Sequence, residues 1–200
     1  MTRSGSMATT GRERILEATY ECVARYGLAK TTVDDAARAA GLSRATVYRH
    51  FPGGKDQLVA EVIGWEATRF FGRLADAVSG ADTFPRLLEH ALLFAHRAIL
   101  EHEVLQKILQ TEPDRLLPTL TVESWRLRDL VVAFLVPSIP ARALRPGMTP
   151  ERAADYVARM LLSFISAPGR WDLSDPVQVR ELVRTELLAG VLSPEALRGA

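Results

Sequence analysis

Along most of the chain apolar residues return every three or four positions and nowhere alternate, so the pattern predicts helices throughout and no strand. The first periodic segment runs from about 11 to 26, with Ile15, Ala18, Tyr20, Cys22 and Val23 toward its inner side and Gly27 as its stop. A second begins after Thr31 or Thr32, either of which can cap it, and sets Val33, Ala36, Ala37 and Ala40 on one face. Gly41 supplies a left-handed turn residue, and Ser43 caps a third helix that ends near Phe51. From Lys55 the periodic segments lengthen, to about 55–78, 83–101, 103–111, 114–136 with a break allowed near Pro118, 150–166 and 176–191. The segment 136–150 holds four of the eleven prolines and reads as a surface loop.

This spacing divides the chain into a leader over 1–10, expected to be disordered, a three-helix unit over 11–54 and a larger helical body over 55–200. The helix starting at Lys55 joins the last two. The fold class is therefore all-α, an N-terminal helix-turn-helix domain followed by a helical bundle.

Composition narrows the classes. A chain that is 48% hydrophobic and 24% charged is globular, neither disordered nor membrane-embedded. The net charge of +1 means that an anionic partner must meet a local basic surface. Cys22 is the only cysteine, which excludes a disulfide within one chain and a Cys-based zinc site, and fits a reducing cytoplasm. The N-terminus has no apolar run to serve as a secretory core. The longest uncharged stretch, Leu130 to Ala141, falls short of the roughly 20 residues that cross a bilayer. A cytoplasmic protein without a membrane partner is expected.

The chemistry concentrates between Gly41 and Lys55. At about 100° per residue, Val47 and Phe51 mark the buried side of the third helix. The opposite side carries Ala45, Thr46 and Arg49, with Arg44, Tyr48 and His50 on its flanks. These types suit DNA. Arg49 or Arg44 can offer a fork to guanine, Ala45 and the Thr46 methyl can touch a thymine methyl, and Tyr48 and His50 can donate to phosphate. Small Ala45 lets the helix approach the bases. Lys55, at the start of the fourth helix, and Thr32, at the start of the second, are candidate phosphate contacts beside free backbone N–H groups. The charged residues from Gly41 to Lys55 are Arg44, Arg49 and Lys55, with no carboxylate among them. A helix-turn-helix that is only structural remains an alternative at this point, because the geometry alone is common in helical proteins.

The run from Tyr26 to Leu58, "YGLAKTTVDDAARAAGLSRATVYRHFPGGKDQL", closely resembles the DNA-binding segment of TetR-family transcriptional regulators. The likeness lies in the glycine closing the first helix, the Thr-Thr pair, the alanine-rich second helix, the Ala-Gly-Leu-Ser turn, the Thr-Val-Tyr centre of the third, the following Phe and the lysine before an apolar helix. The resemblance implies that double-stranded DNA is contacted by Thr32, Ser43, Arg44, Ala45, Thr46, Tyr48, Arg49, His50 and Lys55. It further implies a homodimer on an inverted-repeat operator, a body that binds a small effector, and repression that the effector relieves. The last two helices would form the dimer seam, through residues such as Ala154, Val157, Met160, Leu161, Phe164, Val179, Leu182, Val183, Leu187 and Leu188. One departure from the family pattern is an extra residue in Pro52-Gly53-Gly54, which bears on the reach of Lys55.

The body carries no such motif. Trp65, Phe94, His96, Trp125 and Phe164 are candidates to line a pocket for a small apolar or amphipathic effector, since such sites form between bundle helices. Most aromatic residues there serve the core. His90, His96 and His102 are spaced by six and share no i, i+4 face, so no metal is expected. The Gly53-Gly54-Lys55 run lacks the first glycine and the hydroxyl residue of a phosphate loop, and Gly-x-Ser-x-Gly is absent. No enzymatic activity and no cofactor are expected. An effector-independent regulator, or an activator, is the alternative to a repressor.

Overall fold

The computed structural model describes residues 10–114 and 124–198, with the side chains of 124–126 outside that description. In order the helices are α1 (Gly11–Tyr26), α2 (Val33–Ala40), α3 (Arg44–His50), α4 (Gly54–Val78), α5 (Phe84–Leu100), α6 (Glu103–Thr111), α7 (Ser124–Leu135), α8 (Pro150–Ser166), α9 (Pro176–Leu182) and α10 (Pro194–Arg198). Among the described residues there is no strand, and the single β contact is an isolated bridge between Leu144 and Leu192. No described helix is long and apolar enough to cross a membrane.

The chain forms two compact units. Unit 1 holds α1 to α3, α4 as far as Phe71, and the segment from Lys107 that includes the second half of α6; unit 2 holds the rest. Contacts thus divide within α4 and not at residue 55, because Leu58 and Val62 are buried against the apolar faces of α1 to α3. The expected leader includes Thr10, which accepts from the Glu13 N–H and closes a capping box on α1; residues 1–9 lie outside the described residues.

Unit 1 is built on Ile15 and Leu16 of α1, Val33, Ala36, Ala37 and Ala40 of α2, Val47 of α3, and Phe51, which is fully buried. Four alanines on α1 and α2 let these helices approach closely. Two arginines of α1 lock the arrangement: Arg14 donates to the Ala40 carbonyl at 2.8 Å, at the end of α2, while Arg12 pairs with Glu61 of α4 and lies over the Phe51 ring.

Unit 2 has its own core, in which Leu88 and Leu92 of α5, Leu135 of α7, Ala153, Ala154, Val157 and Ala158 of α8 and Val179 and Leu182 of α9 are buried. Two expectations are corrected there. The segment 176–191 is not one α-helix: α9 ends at Leu182 and the chain winds through a π turn, Val183–Leu187, with Leu188 N–H bonded to Val183 O at 2.9 Å. Leu182, Val183, Leu187, Leu188, Val191 and Leu192 are all essentially inaccessible. The wider winding brings residues five apart to the same inward side, which α periodicity cannot do. The proline-rich 136–150 is not merely a surface loop either. It forms two 3₁₀ turns, buries Ile139, and is stitched to the C-terminal segment by Arg145 N–H to Val191 O at 3.0 Å and Ser193 N–H to Ala143 O at 2.8 Å.

Candidate nucleic-acid interface

The corner that presents α3 is set by backbone chemistry. Gly41 adopts φ 64°, ψ 35°, and its N–H together with that of Leu42 closes the last carbonyls of α2. Ser43 then caps α3 by accepting from the Thr46 N–H at 3.1 Å, and the Ser43 and Thr46 hydroxyls lie 3.0 Å apart. Val47 and Phe51 point into the core, as the periodicity predicts. Arg44, Ala45, Tyr48 and Arg49 are exposed, and Thr46 and His50 half-buried. His50 sits beside the start of α1, its Nε2 3.7 Å from where a Cβ on Gly11 would lie.

The two arginines of α3 stand in different surroundings. Arg44 donates to the Asp34 carboxylate at 3.1 Å and to the Tyr48 hydroxyl at 3.4 Å, and its guanidinium lies 5.4 Å from the Tyr48 ring centroid. The Tyr48 hydrogen bond, with Asp34, pushes the Arg44 pKa above its ordinary value. Arg49 has no hydrogen bond or ion pair among the described residues. The carboxylate-free run of sequence is therefore not carboxylate-free in space, because α2 brings Asp34 to Arg44.

The helix starts that were expected to hold phosphate are already furnished. At α2 the Thr32 hydroxyl accepts from the Asp35 N–H and donates to the Asp35 carboxylate, which Thr32 holds below its ordinary pKa. At α4 the extra residue is absorbed by Gly54, whose φ of 65° starts the helix. Lys55 is thereby directed to the Ala29 carbonyl, to which it donates at 2.6 Å. A Cβ on Gly54 would stand 3.4 Å from Tyr48 Cε1, so the tyrosine ring rests against the beginning of α4.

Three residues that local patterns do not single out also shape the unit. Asp34 is one. Lys107 and Glu112 are the others: Lys107 donates to the Ala24 and Arg25 carbonyls at the end of α1, and Glu112 accepts from the Ala29 N–H at 2.7 Å. A Cβ at Gly27, where φ is 86°, would collide with the Glu112 carboxylate. These partners lie some eighty residues apart in sequence, and no periodic signal links them. Burial pushes the Cys22 thiol up from its ordinary pKa, which disfavours the reactive thiolate.

The effector candidates fall in separate places. Trp65 belongs to unit 1, where its ring is 6.1 Å from that of Tyr20 and Arg69 lies over it. Phe94, His96 and Phe164 belong to unit 2 and are half-buried, Phe164 against the core and His96 within electrostatic reach of Asp172. The Trp125 side chain lies outside the described residues. Of the ten residues expected at a dimer seam, all but Met160 and Phe164 are buried in the core of unit 2 itself.

Comparison with known proteins agrees with this geometry. The profile of a family described as "Bacterial regulatory proteins, tetR family" matches residues 15–62, which span α1 to the buried part of α4. The chain is 30% identical over 178 residues to the HTH-type transcriptional regulator MT1294 of Mycobacterium tuberculosis (strain CDC 1551 / Oshkosh), covering 86% of this chain and 82% of that one. It is 29% identical over 116 residues to the HTH-type transcriptional repressor KstR2 of the same strain, over 58% of each chain. The crystal structure of the TetR family repressor AlkX from Dietzia sp. strain DQ12-45-1b has the same fold, with a TM-score of 0.65, 23% identity and coverage of 98% and 99%. With a helix-turn-helix presented by two buried residues of α3 and a relative aligned along most of both chains, this protein belongs to the TetR family of bacterial transcriptional regulators, which are DNA-binding proteins and not enzymes.

Proposed function

We propose that the protein is a homodimeric repressor that binds an inverted-repeat operator through α3 and leaves it when a small apolar or amphipathic effector occupies unit 2. The observation that carries the DNA-reading part is the outward face of α3, with small Ala45 at its centre and the unpaired Arg49 guanidinium beside it. Such a face can enter the major groove and offer a bidentate fork to guanine. Ser43, Thr46, Tyr48 and His50 line its edges as donors to phosphate, with Thr32 and Lys55 at the neighbouring helix starts. The repressor reading draws on the names of KstR2 and AlkX. Acting on the chromosome, the protein works in the cytoplasm.

A dimer seam is supported by α8, where Tyr156, Met160 and Phe164 recur every fourth residue outside the buried stripe of Ala153, Val157 and Leu161. The effector acts by population shift: it favours a dimer whose two α3 helices no longer match successive major grooves, roughly 34 Å apart. Phe94, His96 and Phe164 are the candidate contacts in unit 2, with Trp125, and Trp65 as the candidate on α4. Coupling runs through α4, which passes from unit 1 into unit 2 after Phe71. Lys107 and Glu112 add a second link, since α6 begins in unit 2 and ends gripping the carbonyls and N–H groups of 24–29.

Selection of the purified protein on random duplexes tests this reading. The expected product is an inverted repeat with half-sites one or a few helical turns apart, bound by two copies as counted by analytical ultracentrifugation. Recovery of no enriched sequence, or of one half-site bound by a single copy, would contradict it.

A further inference from the structure

The pairing of Arg44 is unexpected for a side chain on a DNA-reading helix. An exposed arginine on the first turn of α3 is a long cation that can reach several phosphates, and such contacts give affinity without sequence information. Here Asp34, from the first turn of α2, takes Nη1 at 3.1 Å, while Nη2 meets the Tyr48 hydroxyl at 3.4 Å and the guanidinium lies over the Tyr48 ring. Tyr48 is held from its other end by Gly54, which has no Cβ to push the ring away. Its hydroxyl oxygen accepts from Arg44, which leaves the hydroxyl proton for an acceptor outside the protein. A carboxylate beside a surface that meets phosphate is repelled by it, so Asp34 belongs there only if it acts on the cation.

We propose that Asp34 is a positioning and specificity-determining residue for DNA recognition: it holds Arg44 as a brace that aims the Tyr48 hydroxyl at phosphate, and leaves Arg49 as the arginine of α3 that reads bases. The inference rests on the reading of α3 as the recognition helix. With Asp34 in place, the Asp34–Arg44 pair carries no net charge and releases no counterion on binding. Without it, Arg44 becomes a sequence-indifferent contact and Tyr48 loses its fixed rotamer.

The test uses the best duplex from the random selection and a scrambled duplex of the same composition, with binding followed by fluorescence anisotropy across a salt series. Asp34→Asn keeps the size of the side chain and leaves the Thr32–Asp35 capping box intact. It is expected to tighten binding to the scrambled duplex about five- to tenfold, to steepen the log–log salt slope by about 0.9, and to narrow discrimination by the same factor. In an Arg44→Ala background the same substitution is expected to change binding less than about twofold, because its effect passes through Arg44. Tyr48→Phe is expected to cost several-fold in the wild type and little beside Asp34→Asn. An equal gain with and without Arg44 would show that Asp34 is only a repelling charge, and an unchanged ratio between the two duplexes would show that it positions nothing; either overturns the proposal. Arg49→Ala with undiminished binding to both duplexes would instead remove α3 from the interface, a separate failure.

Discussion

Units 1 and 2 bury apolar stripes in the same manner and differ in how their surface cations are matched. On unit 2, Arg128 and Arg159 both reach Asp155, Arg170 reaches Glu186 and Arg180 reaches Glu89, so these guanidinium groups have carboxylates on their own unit. On unit 1, Arg12, Arg38, Arg44 and Arg69 are paired in the same way, whereas Arg49 is not and stands beside Ala45 on a helix with one buried residue. A paired surface cation contributes little to stability and presents little net charge to a partner. The difference locates recognition: not where arginines are most numerous, but where one has been left without a carboxylate on a face small enough to approach a groove.

The largest test of the comparison separates the two cores. Phe51→Ala should lower the stability of unit 1 by about 3–5 kcal/mol, and Leu88→Ala that of unit 2 by about 2–5 kcal/mol. Urea denaturation of single-tryptophan variants reads each loss, with Trp65 reporting on unit 1 and Trp171 on unit 2. Phe51→Ala should weaken DNA binding on any sequence, since it releases α3 from its core.

A smaller effect distinguishes two glycines of one helix. Gly54→Ala should cost about 1–2 kcal/mol, because φ at this position is 65° and a Cβ there would press on Tyr48. Gly72→Ala, inside α4 with no atom within 4 Å of the added carbon, should stabilise by roughly 0.5–1 kcal/mol. Thermal unfolding followed by circular dichroism measures both, and the same sign for the two would contradict the strained start of α4.

The smallest effect is electrostatic. Asp35 is held below its ordinary pKa, chiefly by the Thr32 hydroxyl. Its contribution to the capping box of α2 is therefore complete above the unfolded carboxyl pKa and is lost as pH falls through the lower folded value. Thr32→Val should remove that acid-side loss, seen as a flatter dependence of unfolding midpoint on pH between neutrality and the carboxylate range. NMR titration of the Asp35 carboxyl checks the direction directly.

What could be read from the sequence follows from how far each signal reaches. The caps Thr32 and Ser43, the left-handed Gly41 and the buried pair Val47 and Phe51 are set by neighbours within a turn, and they stand where periodicity puts them. Arg44 was offered as an alternative guanine fork because Asp34 is ten positions away and on another helix. Lys55 was directed to phosphate because nothing in the run Pro52-Gly53-Gly54 shows that Gly54 starts the helix left-handed and turns the ammonium to Ala29. In unit 2 the inward stripes of α5 and α8 were legible, but Leu182 to Leu192 are buried on nearly every side, and a pattern without a polar face cannot reveal a π turn. Effector chemistry was the least legible, since an aromatic residue that fills a core and one that lines a pocket leave the same periodic trace.

The most direct measurement of the central claim compares wild type and Arg49→Ala on the selected duplex and on its scrambled counterpart at one fixed salt concentration. The unpaired guanidinium predicts a loss of about 1–3 kcal/mol on the selected duplex, roughly five- to 150-fold, with a much smaller loss on the scrambled one. Equal losses on both would show that Arg49 touches only the backbone and would contradict base reading by this face of α3.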